Sequence, residues 1–172
     1  WTGTFTGVPN NGNVDLAVTT DTYNAIGNPY PSPIDADAFI TDNDLTEALY
    51  FWRKTNNAAT SSYATYTLAG GVSNSAGDPL GLVPNGIIQV GQGFLAKSTS
   101  DTIIFTNSMR VGDTSNQFLR IAEEANRVWL NLTSDTGYFG QMMLAYMPEA
   151  TNSYDSKIDG RYINDCQTAL SS

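Results

Sequence analysis

Four aspartates lie within ten consecutive residues of the chain and have the chemistry to bind a metal ion. They are Asp35, Asp37, Asp42 and Asp44, and Asn43 adds an amide oxygen between the last two. Calcium prefers six to eight oxygen ligands, which acidic loops and backbone carbonyls often supply. The spacing is not that of an EF-hand loop. The cluster therefore predicts a calcium site, with helix capping by Asp35 and turn formation by Asp42 and Asp44 as the alternative.

A second acidic set lies near the end of the chain. Asp155, Asp159 and Asp165 occur there together with Asn152 and Asn164. These oxygen-bearing side chains predict another calcium site, which would fix a segment with few apolar residues. A solvated linker to a following domain is the alternative interpretation.

Paired carboxylates about 5–10 Å apart can hydrolyse glycosides. Glu47, with Asp44 or Glu149 as its partner, is the candidate pair, but no motif marks any of the three. The chain has no histidine, so a Ser-His-Asp triad, a Cys-His pair and a His-ligated zinc site are excluded. Cys166 is the single cysteine and cannot form an internal disulfide. We therefore predict a protein that is not an enzyme, and we assign no catalytic residue.

An aromatic segment offers a different chemistry. Tyr50, Phe51 and Trp52 are consecutive, and Tyr63 and Tyr66 follow in the next polar-apolar alternation. Sugar rings stack on Trp and Tyr, so Trp52, Tyr50 and Tyr63 are the predicted ligand-binding residues. Alternate residues of a strand point to opposite faces, which places Tyr50 and Trp52 on one face and Phe51 on the other. Core packing is the alternative role for these rings.

The composition limits the partners of the chain. Its net charge is −9, which repels nucleic-acid phosphates and anionic lipid surfaces. No stretch approaches the roughly 18 apolar residues of a transmembrane helix, so we expect no direct membrane insertion. Only 15% of the residues are charged, and Thr, Ser, Asn and Gly are abundant, as in short strands joined by turns.

Strand-like alternation recurs along the whole chain and predicts an all-β fold. About ten short strands, separated by turns every 8–12 residues, favour an antiparallel β-sandwich of the jelly-roll kind. Residues 1–5 and 14–19 are expected to form a hairpin, as are residues 118–122 and 127–133. Residues 70–85 are expected to form a long surface loop. The whole chain, 1–172, is expected to be one domain cut from a larger multidomain surface protein.

One part of the chain interrupts the strand pattern. Three prolines within residues 27–33 cannot join a central strand and predict a long Pro-rich loop. A short helix over residues 34–41 is expected to follow, capped by Ser32 or Asp35, and to be at most the single helix of the domain. Trp129, Met142 and Met143 lie in later strands and are expected in the core.

Several segments together resemble a domain of large secreted and surface proteins of Bacteroidota, exported by the type IX secretion system. The most specific is the Gly-Asn-Pro-Tyr-Pro-Ser sequence at residues 27–32. The other segments are residues 8–12, 26–40, 49–52, 63–66, 90–94, 105–110 and 154–160. The domain it resembles often precedes a C-terminal sorting domain.

The resemblance implies an extracellular, cell-surface location and contact with the type IX secretion machinery during export. It implies an adhesin-like or accessory module and no catalytic residues. A non-catalytic role in adhesion or in presenting other domains is therefore the predicted function. A carbohydrate-binding module attached to a polysaccharide-degrading enzyme is the alternative, and a carboxylate-based glycoside hydrolase is a third reading.

Overall fold

The computed structural model describes residues 6–53, 62–73, 83–112, 127–133, 135 and 139–161. Within these ranges the chain forms antiparallel strands and one short α-helix, α1 (Ala36–Asp42). The strands are β1 (Val14–Ala17), β2 (Tyr23–Gly27), β3 (Ile34–Asp35), β4 (Leu49–Arg53), β5 (Ser62–Thr67), β6 (Gly70–Val72), β7 (Ile87–Ile88), β8 (Gly93–Lys97), β9 (Thr102–Phe105), β10 (Arg127–Thr133) and β11 (Phe139–Ala145). The predicted all-β, sandwich-like fold is confirmed.

A five-stranded sheet in the order β2-β8-β4-β5-β6 is the largest element. Its strands contain the β-branched and aromatic residues that favour a pleated surface. Ile26, Phe51 and Phe94 point to its inner face and are buried. Strand β6 lies in the region expected to be a surface loop. Its two glycines weaken the strand pattern in the sequence, because they provide no side chain to alternate.

The remaining strands pair over long sequence distances. Strand β1 pairs with β9, with Val14 opposite Phe105, and β3 pairs with β7. Residues 1–5, the expected hairpin partner of β1, lie outside the described residues. Residues 118–122, the expected partner of β10, also lie outside them, and β10 pairs along its full length with β11.

Helix α1 begins two residues later than predicted, because residues 34–35 pair with β7 as a strand. Asp35, one of the two predicted caps, accepts hydrogen bonds from the backbone N–H groups of Asp37 and Ala38. This capping satisfies two N–H groups that otherwise have no partner at a helix start. It is the only α-helix in the described part of the chain, in line with the prediction of at most one, and a single 3-10 turn forms at Asn107–Met109.

The core lies between the inner face of the large sheet, α1 and the β1–β9 pair. Phe39 of the helix is fully buried, with its ring centroid 5.4 Å from that of Phe94 and 5.1 Å from that of Phe105. The Pro-rich loop also contributes to this core, because its residue Tyr30 is buried there. Ile34 of β3, which follows the loop, is buried in the same core. These contacts hold the helix and the loop against the sheet.

The β10–β11 hairpin differs from its prediction. Trp129, Leu130 and Leu144 are exposed, and Met142 and Met143 are half-buried. The strand alternation predicted a core position for these residues, but a core position needs a second layer over the strand.

No described helix is long and apolar enough to cross a membrane.

Candidate ligand-binding face

The outer face of the large sheet contains four aromatic residues on the strands β2, β4 and β5, with β8 between β2 and β4. Tyr50 and Trp52 share this face because they are two residues apart in β4. Trp52 pairs with Tyr63, so that ring is on the same side. Tyr23 joins them through its pairing with Lys97 of β8. We call Tyr23, Tyr50, Trp52 and Tyr63 the aromatic face.

The rings of the aromatic face form a continuous row. Their centroids are 5.7 Å apart for Tyr23 and Tyr50, 6.5 Å for Tyr50 and Tyr63, and 5.0 Å for Tyr63 and Trp52. Each pair meets edge to face, with 64° between the planes of Trp52 and Tyr63. This geometry is favourable for aromatic rings, because the positive edge of one meets the negative face of the next.

The predicted ligand-binding residues differ in accessibility. Trp52 is 56% exposed and Tyr63 is half-buried, so both are available to a ligand. Tyr50 is fully buried, and its hydroxyl donates to the carbonyl oxygen of Arg161 at 2.9 Å. A ligand therefore cannot reach the Tyr50 ring in this conformation, and its ligand-binding role stays a prediction. The Tyr50 ring packs edge to face against the ring of Tyr63.

Tyr23 was missed by the sequence reasoning and is an exposed member of the face. The only signal in the sequence was that it begins a strand-like alternation. Its assignment to this face depends on β2 pairing with β8 across about seventy residues. The local pattern contains no information about that pairing.

A buried carboxylate lies under Tyr23. Glu47 accepts hydrogen bonds from the hydroxyls of Tyr23 and Tyr50, and its Oε1 lies 3.1 Å from Nζ of Lys97. Burial and the hydrogen bond to Glu47 raise the pKa of Tyr23 to about 12. Burial by itself raises the pKa of Glu47, but the hydrogen bonds from Tyr23 and Lys97 outweigh it. The pKa of this carboxyl is therefore below its ordinary value, and Glu47 is ionised at neutral pH.

The candidate catalytic pair is not arranged for glycoside hydrolysis. Glu47 is buried and its carboxylate is occupied by two tyrosines and a lysine. Asp44 and Glu149 are both exposed. A general acid needs a raised pKa, whereas the surroundings of Glu47 lower its pKa. Its described contacts are those of a structural ion pair.

A cavity of about 240 Å³ opens beside Trp52, at the end of β4 and β5. Its apolar lining consists of Ala36, Phe51, Ala64, Pro84, Ile87 and Ile88. Trp52, Tyr66 and Gln92 complete it, together with Gly86. Trp52 therefore belongs both to the aromatic face and to the mouth of the cavity.

Tyr66 forms part of the cavity wall and is linked to the helix. Its hydroxyl donates to Oδ1 of Asp37 at 2.8 Å. Burial, followed by the nearby charge of Asp37, raises the pKa of Tyr66 far above its ordinary value, so the hydroxyl remains neutral. Gly86 packs against the same hydroxyl in a left-handed conformation, with φ of +88°. These contacts fix the floor of the cavity.

The first acidic cluster is spread along α1. Asp35 caps the start of the helix, and Asp42 is its exposed last residue. Seven helical residues span roughly 10 Å, so Asp35 and Asp42 lie at opposite ends of the helix. Asp37 bonds to Tyr66, and Asp44 is exposed. Among the described residues, no group of three acidic, cysteine or histidine side chains is arranged to hold a metal.

The second acidic set forms a turn. Oδ2 of Asp159 accepts a hydrogen bond from the backbone N–H of Asp155 at 2.8 Å. Asp155 itself accepts hydrogen bonds from the backbone N–H and the hydroxyl of Thr151. Asp165 lies outside the described residues. Calcium at either set stays a prediction.

Three of the segments that carry the resemblance meet in one polar cluster. The amide of Asn107 donates to Asn11 at 3.1 Å, and Nε of Arg110 donates to the hydroxyl of Ser32 at 2.8 Å. The Arg110 guanidinium also lies over the ring of the buried Tyr30, 5.3 Å from its centroid. These residues connect loops that are distant in the sequence, which is a structural role.

The entire chain, residues 1–172, matches the family described as "Domain of unknown function (DUF8693)". The chain belongs to the DUF8693 family. No curated protein and no solved structure is detectably similar to it. The aromatic face and the cavity are therefore the basis for assigning a function to this DUF8693 domain.

Proposed function

We propose that this chain is a non-catalytic binding module that attaches a bacterial surface protein to glycans through Trp52, Tyr63 and Tyr23. The observation that carries the proposal is the position of Trp52. More than half of its surface is exposed, its ring contacts Tyr63 edge to face, and it borders the cavity. In this proposal the adhesion role and the carbohydrate-binding role use the same surface.

The physical basis is the stacking of sugar rings on aromatic faces. An exposed tryptophan provides a large apolar surface at a low cost in side-chain entropy, and such residues dominate many binding sites. Trp52 is fixed in place by Tyr63, which in turn packs on the buried Tyr50. The ring is thus held in position before a ligand arrives, which reduces the entropic cost of binding.

The angles between the rings favour a single soluble glycan chain over a flat crystalline polysaccharide. A flat surface needs several coplanar rings, but Trp52 and Tyr63 are inclined by 64°. One sugar can stack on Trp52 while its edge contacts Tyr63. At the Tyr23 end of the aromatic face, Lys97 and Glu47 neutralise each other. The net charge of −9 disfavours acidic glycans.

The chain offers a matched control for the test of this proposal. Trp129 is 43% exposed, similar to Trp52, but lies on the β10–β11 hairpin. Binding to an array of neutral soluble glycans, followed by calorimetry, would compare Trp52→Ala with Trp129→Ala. We expect Trp52→Ala to lose binding by at least about tenfold and Trp129→Ala to retain it. Absence of any bound glycan, or equal effects of the two variants, would refute the proposal.

A role in spacing and presenting other domains is the second candidate. The observation that favours it is that the segments carrying the resemblance are used in loop-to-loop contacts, such as Asn107 with Asn11. Extracellular location and export by the type IX system also belong to the proposal. Surface proteolysis of intact cells, with and without a working type IX system, tests them. Protection from the protease in cells with the system would contradict both.

A further inference from the structure

The geometry points to an acetyl-bearing neutral sugar as the ligand class, with the acetyl group in the cavity beside Trp52; we infer this on the basis of the proposed function. Trp52, the residue on which the sugar would stack, is also one of the residues that line the cavity. The inference places a substituent of the stacked sugar in this cavity. The inference rests on the size, the lining and the hydrogen-bonding groups of the cavity.

The size of the cavity suits a substituent. Pockets that enclose a whole small molecule usually measure roughly 300–1,000 Å³. This cavity measures about 240 Å³, and Trp52 is part of its lining. It accommodates an acyl group while the sugar ring stays outside on the tryptophan.

The lining of the cavity is apolar and uncharged over the described residues. Ala36, Ala64 and Ile88 are buried and provide small or aliphatic contacts, and Phe51 adds an aromatic wall. Transfer of a methyl group from water to such apolar surroundings is favourable. A charged substituent would lose its hydration without a partner. The lining therefore selects a neutral group with a methyl end.

The side-chain amide of Gln92, which lines the cavity, can recognise a carbonyl oxygen. Oε1 of Gln92 accepts the backbone N–H of Gln89 at 2.9 Å, so the groups that Gln92 can offer a ligand are its N–H donors. A carbonyl oxygen placed in the cavity could accept a hydrogen bond from these donors. An acetyl group combines this oxygen with the methyl group that the walls favour.

The test compares neutral oligosaccharides that share a backbone and differ in the acetyl group. Suitable pairs are β-1,4-linked N-acetylglucosamine and glucose tetramers, and the corresponding N-acetylgalactosamine and galactose sugars. We expect the acetylated member of a pair to bind at least about tenfold more tightly to the whole chain. In saturation-transfer NMR, its acetyl methyl protons should receive the largest transfer. A glucose tetramer with O-linked acetyl groups then shows whether the site binds an acetyl group on oxygen as well as one on nitrogen.

Variants locate the effect in the cavity. Ala64→Val narrows the cavity, and Gln92→Glu removes the N–H donors while it keeps an oxygen for the backbone of Gln89. Val90→Ala is the control, because Val90 is exposed and does not line the cavity. We expect both cavity variants to lose the preference for acetylated sugars and the control to retain it. Gln92→Glu changes no core side chain and serves as the test if Ala64→Val does not fold.

Each outcome decides between the two claims. Equal binding of acetylated and plain sugars, with loss of both in Trp52→Ala, overturns the acetyl inference and leaves the proposed function standing. A preference for acetyl groups that both cavity variants retain overturns the assignment to the cavity. No binding of any sugar overturns the inference together with the proposed function.

Discussion

Asn43 bonds to both backbone groups of Ile104, as a neighbouring strand residue would. Its Oδ1 accepts the N–H of Ile104 at 2.9 Å, and its Nδ2 donates to the carbonyl of Ile104 at 3.0 Å. The same Nδ2 donates to the carbonyl of Phe39. A single buried side chain thereby joins the end of α1 to β9 and satisfies three backbone groups.

Replacement of Asn43 by Asp should therefore destabilise the domain more than its small size change suggests. A carboxylate cannot donate to the carbonyls of Phe39 and Ile104, and it would be buried without a counter-ion. We expect a loss of about 2–4 kcal/mol in the free energy of unfolding at pH 7 and a smaller loss at pH 4. Urea denaturation measures both, with the exposed Asn13→Asp as the control. Equal stability of the two variants would show that the bonds to Ile104 contribute little.

The carboxylate of Glu47 predicts a dependence of stability on acid. Its pKa in the folded state is below the ordinary value of 4.5, so the folded state favours the ionised form. The stabilisation is present above pH 4.5 and is lost as the pH falls through the lower folded pKa. Glu47→Gln should remove this part of the acid dependence and cost about 1–3 kcal/mol at pH 7.

Thermal melts from pH 7 to pH 2.5 check this prediction for the wild type, Glu47→Gln and the exposed control Glu149→Gln. Only Glu47→Gln should reduce the fall in melting temperature below pH 4.5. An unchanged profile in that variant would mean that other carboxylates cause the acid dependence.

The hydroxyl of Tyr23 predicts the opposite dependence at high pH. Its pKa rises from 10.0 to about 12 on folding, so the neutral hydroxyl is favoured in the folded state. Stability from this group is complete below pH 10 and is lost as the pH rises toward 12. Absorbance of tyrosinate during an alkaline titration should show a late-titrating residue that Tyr23→Phe removes. An unchanged titration in that variant would place the late hydroxyl elsewhere.

Substitutions of Asp35 distinguish a role as a calcium ligand from a role as a helix cap. Asn caps helices as well as Asp does, so Asp35→Asn should change stability little, whereas Asp35→Ala should cost about 0.5–2 kcal/mol. A calcium ligand behaves differently, because loss of the charge weakens the metal site. Because the described contacts of Asp35 are those of a helix cap, we expect Asp35→Asn to leave any calcium-dependent rise in melting temperature unchanged. A rise that Asp35→Asn abolishes would establish the metal site instead.

Local alternation predicted most of the strands because it depends only on neighbouring residues. Strand β10 (Arg127–Thr133) has the predicted bounds, and β1 (Val14–Ala17) lies within the strand expected at residues 14–19. Local alternation does not predict which strands pair with each other. Strand β1 pairs with β9, almost ninety residues away, and no local pattern encodes that choice. The hairpin expected from the Asn-Gly turn used only local information.

Burial was harder to predict than strand position. Tyr50 and Trp52 share a face, yet Tyr50 is fully buried and Trp52 is mostly exposed. The hydroxyl of Tyr50 donates to the carbonyl oxygen of Arg161, a contact between residues 111 positions apart that local alternation does not encode. Trp129 shows the same limit, since alternation assigns a side of the strand but not the layer that covers it. The site on Trp52 and Tyr63 followed from residue type, whereas Tyr23 and the cavity required the tertiary structure.

Gly86 gives a test of the wall that shapes the cavity. A Cβ atom at this position would lie 2.5 Å from the hydroxyl oxygen of Tyr66, and the residue has φ of +88°. Gly86→Ala therefore adds a clash to the backbone strain and displaces the hydroxyl from Asp37. Gly91→Ala is the matched control, because Gly91 has φ of +71° and nothing within 4 Å of a Cβ atom. We expect about 1 kcal/mol of destabilisation for Gly91→Ala and about 2–4 kcal/mol for Gly86→Ala.

The contribution of the clash can be isolated in a second background. In Tyr66→Phe the hydroxyl is absent, so Gly86→Ala should cost little more there than Gly91→Ala does. Chemical denaturation of the wild type, Gly86→Ala, Tyr66→Phe and the double variant completes a double-mutant cycle. The cycle gives the coupling free energy between Gly86 and Tyr66. If the cost of Gly86→Ala is the same with and without the hydroxyl, the wall of the cavity yields without strain, and Tyr66 does not set its shape.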